Sequence, residues 1–283
     1  MKRMTLLRSM SSLVLVVLLL TACGSNNNPG SGPSSGGGNP APSPSFTTVT
    51  AGTLTVGSCL DYSPFEYYKK GQLKGFDVDI VDAIGKKLNL KVQWVKSNFN
   101  TIFNAVSAHK FDMVAAASTI TAQRKKIVNF SEPYYDALLS LTINKDKTPS
   151  IKSTNDLKKG DIVGVQKGTT SAIWASQHLA PKGIQIKSFT SAPDSMSDLE
   201  SGRVVGVIND LPSSVSIVKN RPSLAVVEPI QAGQHYGLAF APDTPQLTIA
   251  VNKAFEALVA DGTYETIYHR YFQGPVPQEF QPK

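Results

Sequence analysis

From Thr53 onward, short runs rich in β-branched residues alternate with stretches whose apolar residues recur at helical spacing. Gly75–Leu88 is an example of the second kind, with one apolar face formed by Phe76, Ile80, Val81, Ile84 and Leu88. Alternating strands and helices over this length predict a mostly parallel sheet covered by helices on both faces. We therefore expect an α/β protein.

The alternation restarts after Ala137–Asn144, a predicted extended segment, so two α/β units follow one another without a linker. The main predicted strands are Thr53–Ser58, Lys91–Val95, Phe111–Ala117, Ile162–Val165, Gln185–Phe189, Val204–Ile208, Leu224–Val227 and Tyr236–Ala241. The predicted helices are Gly75–Leu88, Thr101–His109, Thr121–Lys126, a short one opened by Ser153-Thr154-Asn155-Asp156, Thr170–His178, Ala192–Ser201, Leu211–Asn220, a long one between Thr244 and Gly262, and Tyr264–Phe272.

Residues 1–22 have the pattern of an export signal. Lys2, Arg3 and Arg8 precede the apolar run Leu13–Leu20, which is too short for a membrane-spanning helix of about 20 residues. The next residues complete Leu20-Thr21-Ala22-Cys23, which resembles a bacterial lipobox. We therefore expect a lipoprotein signal peptide and a lipid such as palmitate on Cys23; the alternative is an ordinary cleaved signal with an incidental cysteine.

A flexible linker is predicted to follow, so that residues 23–48 comprise the lipidated cysteine and a tether. Gly24–Ser45 contains only Gly, Ser, Asn, Pro and Ala, and such a segment cannot bury enough apolar surface to become ordered. Its mean reach is on the order of 25 Å. Cys59 is the only other cysteine, and we expect a small buried or half-buried residue there rather than a nucleophile.

Several classes of protein are not indicated by the sequence. It contains no phosphate-loop, dinucleotide-binding, zinc-binding or H-E-x-x-H pattern, and its four histidines lie on different predicted elements, so we expect no metal and no cofactor. The formal net charge is +7, but three of the positive charges lie in the predicted signal peptide. No basic stripe with interleaved aromatic residues occurs, so nucleic acid is not an expected partner.

Polar and aromatic residues follow the predicted strands at their carboxyl ends, where ligands bind in open α/β sheets. Arg124 offers a forked contact to a carboxylate, Asp210 accepts from an ammonium group, and the aromatic rings exclude water. Together these residues predict a receptor for a zwitterion. They are Tyr62, Phe65, Phe99, Ser118, Thr119 and Arg124 in the first unit, and Gly168, Thr169, Thr170, Asn209 and Asp210 in the second.

These residues also have simpler interpretations. Gln123-Arg124-Lys125-Lys126, taken alone, would be a solvated helix face. Asp210 could cap the helix that starts at Leu211, and Thr119 could be a turn residue. Of the two aromatic residues after the first strand, we favour Phe65 in the core and Tyr62 in the cleft.

Six segments of the sequence resemble the bacterial extracellular solute-binding proteins of family 3, the polar amino-acid-binding subunits of ABC importers. The resemblance covers Thr53–Phe272 in order. The segments are Gly57-Ser58-Cys59-Leu60-Asp61-Tyr62-Ser63-Pro64-Phe65, Gly75-Phe76-Asp77-Val78-Asp79, Ser118-Thr119-Ile120-Thr121-Ala122-Gln123-Arg124, Phe130-Ser131-Glu132-Pro133-Tyr134, Gly164-Val165-Gln166-Lys167-Gly168-Thr169-Thr170 and Asn209-Asp210.

The resemblance implies the two-lobed type II periplasmic-binding-protein fold, often called a Venus flytrap, with two crossover hinge strands. Lobe 1 would comprise residues 49–141 and 234–283, and lobe 2 residues 142–233. The crossings would lie near Ser140–Asn144 and Ile230–His235.

The resemblance also implies residue roles. Arg124 would bind the α-carboxylate of the ligand, aided by Thr119 and the backbone near Thr170, while Asp210 and the carbonyl of Ala117 would bind the α-ammonium. Tyr62 and Phe99 would enclose the side chain. Secondary candidates are Gln166 and Asn209, together with Cys59, which stands where members that bind basic amino acids or glutamine often carry Asp. A thiol cannot offset a buried cation, so this position favours a less strongly cationic ligand.

The resemblance therefore predicts a binding protein and not an enzyme: a monomer, lipid-anchored to the extracytoplasmic face of the membrane, that delivers a polar amino acid to the permease subunits. Two alternatives stay open. One is a cyclohexadienyl or arogenate dehydratase on the same fold, for which Glu132, Asp61 or Glu66 would have to face the cleft as the acid. The other is a ligand-sensing receptor domain.

Overall fold

The computed structural model of the protein describes residues 46–281. The predictions for residues 1–22, Cys23 and most of the linker fall outside them. The strands in the described part are β1 (Thr53–Ser58), β2 (Asp61–Tyr62), β3 (Glu66–Lys69), β4 (Gln72–Lys74), β5 (Lys91–Lys96), β6 (Met113–Val114), β7 (Asn129–Phe130), β8 (Tyr135–Asn144), β9 (Ile162–Gln166), β10 (Gln185–Phe189), β11 (Gly206–Asp210), β12 (Leu224–Tyr236) and β13 (Ala239–Phe240).

Most of the helices alternate with strands, as the sequence predicts. No α-helix lies in the described segments between β2 and β4 or between β6 and β9, and the short helix predicted to begin near Ser153 is only a turn. They are α1 (Phe76–Lys87), α2 (Phe99–Ser107), α3 (Thr170–His178), α4 (Ala192–Ser201), α5 (Leu211–Val218), α6 (Pro245–Ala260) and α7 (Thr263–Tyr271). Short 3-10 turns occur at Arg124–Lys126, Ala180–Lys182 and Gln278–Phe280. In the part of the chain that the structure describes, no helix combines the length and the apolar character needed to cross a membrane.

Two five-stranded sheets define two lobes. The first sheet has the order β5-β1-β6-β13-β7, with β1 parallel to β5 and β6, and with β13 antiparallel to both of its neighbours. The second has the order β10-β9-β11-β8-β12, with β9 parallel to β10 and β11, and with β8 antiparallel to β11 and β12. This confirms the predicted α/β class and the two α/β units. The prediction of mostly parallel sheets is wrong, because each sheet has two parallel and two antiparallel pairings; the antiparallel ones come from the hinge strands β8 and β12 in the second sheet and from β13 in the first.

The long strands β8 and β12 pair with each other and pass from one lobe to the other. Tyr135, Ala137 and Tyr236 belong to the core of the first lobe. Leu139 and Ile230 belong to the core of the second. The passage in β8 therefore lies between Ala137 and Leu139, slightly before the range Ser140–Asn144 named above. In β12 it coincides with a register shift between Ile230 and Gln234.

A small antiparallel sheet, β2-β3-β4, was not predicted from the sequence. It lies directly against the start of α1. The backbone of Gly75 has φ 144°, and a Cβ there would lie 1.9 Å from the carbonyl oxygen of Phe65. Position 75 therefore requires glycine, because its backbone packs directly on the backbone of Phe65. This contact holds Phe65 and Glu66 against the core of the first lobe.

Two other predicted elements are shorter in the structure. The predicted strand Phe111–Ala117 is regular only at β6, because the chain bends at residues 116–117, where Ala117 has φ 45°. The predicted helix Thr121–Lys126 is a single 3-10 turn at Arg124–Lys126. Both departures lie at the carboxyl edge of the first sheet, where loop geometry rather than sheet pairing sets the backbone.

Candidate ligand site between the lobes

A cavity with about 320 Å³ of empty space lies between the two lobes. Seven of its lining residues are the ones to which the family resemblance assigns ligand contacts. Cys59 and Gln166 line it as well. The lining residues are Cys59, Tyr62, Glu66, Phe99, Ala116, Ala117, Thr119, Arg124, Gln166, Thr169, Thr170 and Asp210.

Arg124 spans the interface between the lobes. Its Nη1 donates to the carbonyl oxygen of Thr119 at 2.7 Å, and its Nη2 donates to the carbonyl oxygen of Gly168 in the second lobe at 3.1 Å. The guanidinium carbon lies 5.2 Å from the ring centre of Phe99 and 4.6 Å from that of Phe103. Two of its five N–H groups are used in this way, so three remain for a ligand anion.

Arg124 is buried, with 8% of its surface exposed, whereas Lys125 and Lys126 beside it are exposed. The solvated-face interpretation is therefore wrong for Arg124, because the chain turns tightly there and directs this one side chain inward. Burial lowers the pKa of Arg124 to about 10, against the opposing effect of the Asp210 carboxylate. The group stays charged at neutral pH.

Asp210 ends β11 and faces Tyr62 of the first lobe. The Tyr62 hydroxyl donates to Asp210 Oδ2 at 2.7 Å, and the Tyr62 hydroxyl oxygen also lies 3.0 Å from Asn209 Oδ1. Burial raises the pKa of Asp210, while the hydrogen bond from Tyr62 and the charge of Arg124 lower it. Asp210 also stands at the N-cap position of α5, but its side chain makes no capping hydrogen bond there.

Ala117 is held in an unusual conformation by a buried carboxylate. Its N–H donates to Asp77 Oδ2 at 2.9 Å, and the Tyr134 hydroxyl lies 2.9 Å from both oxygens of Asp77. Burial raises the pKa of Asp77 to about 6, although these two hydrogen bonds lower it. These contacts fix the backbone at Ala117, which lines the cavity.

Thr119 and Thr170 meet across the cleft, with their hydroxyl oxygens 3.5 Å apart. Both hydroxyls donate to Oε1 of Gln234 on β12, at 2.7 Å and 2.6 Å. Gln234 is buried and was not singled out from the sequence.

The secondary candidates lie at two places. Cys59 and Gln166 line the cavity, and the Gln166 amide donates to the carbonyl oxygen of Thr190 at 3.2 Å. Burial and the nearby Glu66 raise the pKa of the Cys59 thiol well above its usual range, so the thiol is neutral. Asn209 is not part of the cavity lining and contacts the site through Tyr62.

Glu66, at the start of β3, was considered from the sequence only as an enzymatic acid. It is fully buried and lines the cavity, and among the described residues neither carboxylate oxygen has a hydrogen-bond partner. Burial raises its pKa well above the usual range, and the charges of Asp77, Asp61 and Asp210 add to the effect. An unpartnered buried carboxyl is costly, so a cationic ligand group would relieve it.

The two other acids named for the dehydratase alternative lie elsewhere. Asp61 lines a groove outside the cavity, together with Lys96 and Asp194. Glu132 is exposed beside His235 and Glu256 in a separate groove. Within residues 46–281, no group of three or more Cys, His, Asp or Glu side chains is placed to hold a metal ion.

Comparisons with known proteins agree with this architecture. The family model for bacterial extracellular solute-binding proteins, family 3, matches residues 54–274. A probable histidine-binding protein of Neisseria gonorrhoeae is 32% identical over 221 residues, which are 77% of this chain and 82% of that protein.

Solved structures give the same result. An ancestral arginine-binding protein bound to arginine is 38% identical with a TM-score of 0.75, covering 78% of this chain and 99% of that one. The arginine-, lysine-, histidine-binding protein ArtJ from Geobacillus stearothermophilus is 30% identical with a TM-score of 0.74, covering 81% and 99%. These relatives are binding proteins and not enzymes. The chain therefore belongs to the bacterial extracellular solute-binding proteins, family 3.

Proposed function

We propose that this protein is the substrate-binding subunit of an ABC importer and captures a cationic amino acid between its two lobes. The relatives and neighbours named above bind histidine, arginine or lysine according to their descriptions. The observation that carries the proposal is the cavity itself, which combines a buried arginine, a buried aspartate at the opposite lobe and the unpartnered carboxyl of Glu66.

Arg124 binds the α-carboxylate of the ligand with the N–H groups that the protein leaves free. Asp210 and the carbonyl of Ala117 bind the α-ammonium group. Tyr62 and Phe99 enclose the aliphatic part of the side chain, and Thr119 and Thr170 complete the polar end of the cleft. Gln166 and Cys59 lie at the cavity wall near the distal end of the ligand side chain. Asn209 does not contact the ligand, but its Oδ1 lies 3.0 Å from the Tyr62 hydroxyl oxygen and so helps to position Tyr62.

Glu66 binds the distal cation of the ligand. Cys59 taken alone favours a less cationic ligand, because position 59 lacks a carboxylate. Glu66 supplies that carboxylate in the same cavity, and it is close enough to Cys59 to raise the thiol pKa. A guanidinium, ammonium or imidazolium group would give its oxygens the hydrogen bonds that the protein does not.

The lobes close on the ligand about the hinge formed by β8 and β12. We assign residues 49–137 and 234–283 to lobe 1 and residues 139–233 to lobe 2. The boundary in β8 is thus earlier than the boundary at residues 141 and 142 expected from the sequence, because Leu139 and Leu141 belong to the core of the second lobe. Arg124 and Tyr62 lie in the first lobe and contact Gly168 and Asp210 in the second. These contacts and a bound ligand stabilise the same closed state, and this state is then presented to the permease.

We further propose that residues 1–22 are a lipoprotein signal peptide, that Cys23 carries the lipid anchor, and that residues 23–48 link the anchor to the folded lobes. The monomeric protein then works on the extracytoplasmic face of the cell membrane, within reach of the permease subunits. The lipobox and the uncharged Gly24–Ser45 segment support this arrangement.

Isothermal titration calorimetry of the purified protein tests the proposal, after co-purified ligand has been removed by unfolding and refolding. The panel is L-arginine, L-lysine, L-histidine, L-glutamine and L-glutamate. We expect binding of at least one cationic amino acid, much weaker binding of glutamine and no binding of glutamate. Tight binding of glutamate would contradict the role of Glu66, and binding of no amino acid would contradict the function.

A further inference from the structure

Gln234 lies on the hinge strand β12 and does not line the cavity, yet it contacts two residues that do. It is 5% exposed. Its Oε1 accepts hydrogen bonds from the hydroxyls of Thr119, at 2.7 Å, and Thr170, at 2.6 Å. Thr119 belongs to the first lobe and Thr170 begins α3 of the second. A single amide oxygen therefore joins the hinge to both walls of the cleft.

The orientation of this amide follows from its other contact. The Gln234 Nε2 donates to the carbonyl oxygen of Ala232 at 3.1 Å, which directs Oε1 toward the two hydroxyls. Each hydroxyl has a single proton, and both protons are used on Oε1. In this closed arrangement Thr119 and Thr170 can accept hydrogen bonds from a ligand but cannot donate them.

We propose that Gln234 is a positioning residue of the ligand site: from the hinge it fixes Thr119 and Thr170 against each other and sets both hydroxyls as acceptors. A ligand carboxylate, itself an acceptor, then relies on N–H donors. These are the three free N–H groups of Arg124 and the backbone N–H groups of Thr170 and Ser171 at the start of α3, since the next one, that of Ala172, donates to Thr169 Oγ1. The inference rests on the amino-acid-binding function proposed above.

The contact to Thr170 exists only when the lobes are closed, because Thr170 belongs to the second lobe, whereas Gln234 lies at the end of β12 that pairs with Ala137 in the first lobe. Gln234 therefore contributes to the stability of the closed state, and a ligand that requires closure is bound more tightly. Removing the acceptor shortens the lifetime of the complex rather than slowing its formation.

A double-mutant cycle tests this. Gln234→Met keeps the length of the side chain and removes the acceptor, and the combined Thr119→Val and Thr170→Val change removes both donors. We expect each change to weaken binding of L-arginine about tenfold, mainly through faster dissociation measured by stopped-flow fluorescence. We expect the triple variant to bind L-arginine no more weakly than Gln234→Met or the combined threonine variant does. The matched control is Gln93→Met, the same substitution at an exposed glutamine of β5 outside the cavity, which should bind as tightly as the wild type.

Wild-type affinity in Gln234→Met, or effects that multiply in the triple variant, would overturn the inference. The Thr119–Gln234 half of the contact lies between the first lobe and its own hinge strand. Urea unfolding of Gln234→Met, Thr119→Val and the double variant therefore measures that coupling without any ligand. If urea unfolding shows no coupling between positions 119 and 234, the hydrogen bond between Thr119 and Gln234 does not contribute in solution, and the inference is overturned. Failure of the wild type to bind any amino acid, with coupling intact in urea, contradicts the proposed function instead.

Discussion

Glu66→Gln isolates one charge of the cavity, because it keeps the shape of the side chain and removes its ionisation. Breaking a buried ion pair by removing one partner costs about 3–5 kcal/mol. The carboxyl of Glu66 has a raised pKa, so part of the pairing energy is spent on releasing its proton when the ligand binds. We therefore expect a loss somewhat below that range, about a hundredfold in affinity for L-arginine, or about 2.7 kcal/mol.

The assay is calorimetric titration at pH 8 with L-arginine, L-lysine and L-glutamine on the wild type, Glu66→Gln and Glu132→Gln. Glu132 is an exposed glutamate outside the cavity and serves as the matched control. Affinity for the two cationic ligands should fall in Glu66→Gln alone, while affinity for L-glutamine should stay unchanged or rise. Repeating the L-arginine titration near pH 6 in buffers of different ionisation enthalpy should detect a released proton in the wild type and a smaller release in Glu66→Gln.

Two results would refute this reasoning. Equal losses for L-arginine and L-glutamine would mean that Glu66 supports the fold of the cavity rather than the ligand cation. Unchanged affinity for L-arginine would mean that the cation lies elsewhere, and the outer groove with Asp61 and Asp194 would then be the next place to test.

Three further outcomes are expected. Arg124→Lys keeps a positive charge but cannot hold the carbonyl groups of Thr119 and Gly168 together with a carboxylate, so calorimetry should show at least about a hundredfold weaker binding; near-normal affinity would contradict the carboxylate contact. Asp77 has a folded pKa of about 6 against an ordinary value of 3.8, so the folded protein binds more protons and its unfolding free energy should fall as pH rises from about 4 to about 6, by up to about 3 kcal/mol. Urea titrations should show that Asp77→Asn lacks this decrease, and an identical pH profile would exclude Asp77 as its source. Cys23→Ser should move the protein from the membrane to the soluble fraction of cells; retention in the membrane would contradict the lipid anchor.

The sequence predicts elements well where burial repeats at regular spacing. The apolar positions Phe76, Ile80 and Ile84 recur over a whole helix, and α1 matches the prediction closely. The small antiparallel sheet β2-β3-β4 was missed because each of its strands is only two to four residues long and mostly half-buried or exposed, so no period-2 pattern develops. Its position depends on a contact between Gly75 and Phe65 that no local pattern reveals.

The site shows the same division between local and long-range information. Strand ends predict where Tyr62, Arg124 and Asp210 lie, because topology alone brings carboxyl ends of parallel strands together. The sequence does not predict that Arg124 is buried, since its neighbours Lys125 and Lys126 are solvated. It also gives no sign that Glu66 lacks partners, or that Gln234 meets two threonines from opposite lobes, because both facts depend on groups far away in the chain.

The order of strands in the first sheet has a consequence for how the chain acquires its structure. β13 lies between β6 and β7 in that sheet, although it follows the whole second lobe in sequence. During synthesis and export, β7 therefore has no neighbour in its sheet until residues 239–240 arrive. The second lobe is a continuous segment whose sheet contains no strand from outside it except the shared hinge strands, so it can fold first. Formation of the second lobe then brings the start of β8 and the end of β12 together and shortens the loop that β13 must close. Variants that slow folding of the second lobe should accordingly delay completion of the first sheet, even though they change none of its residues.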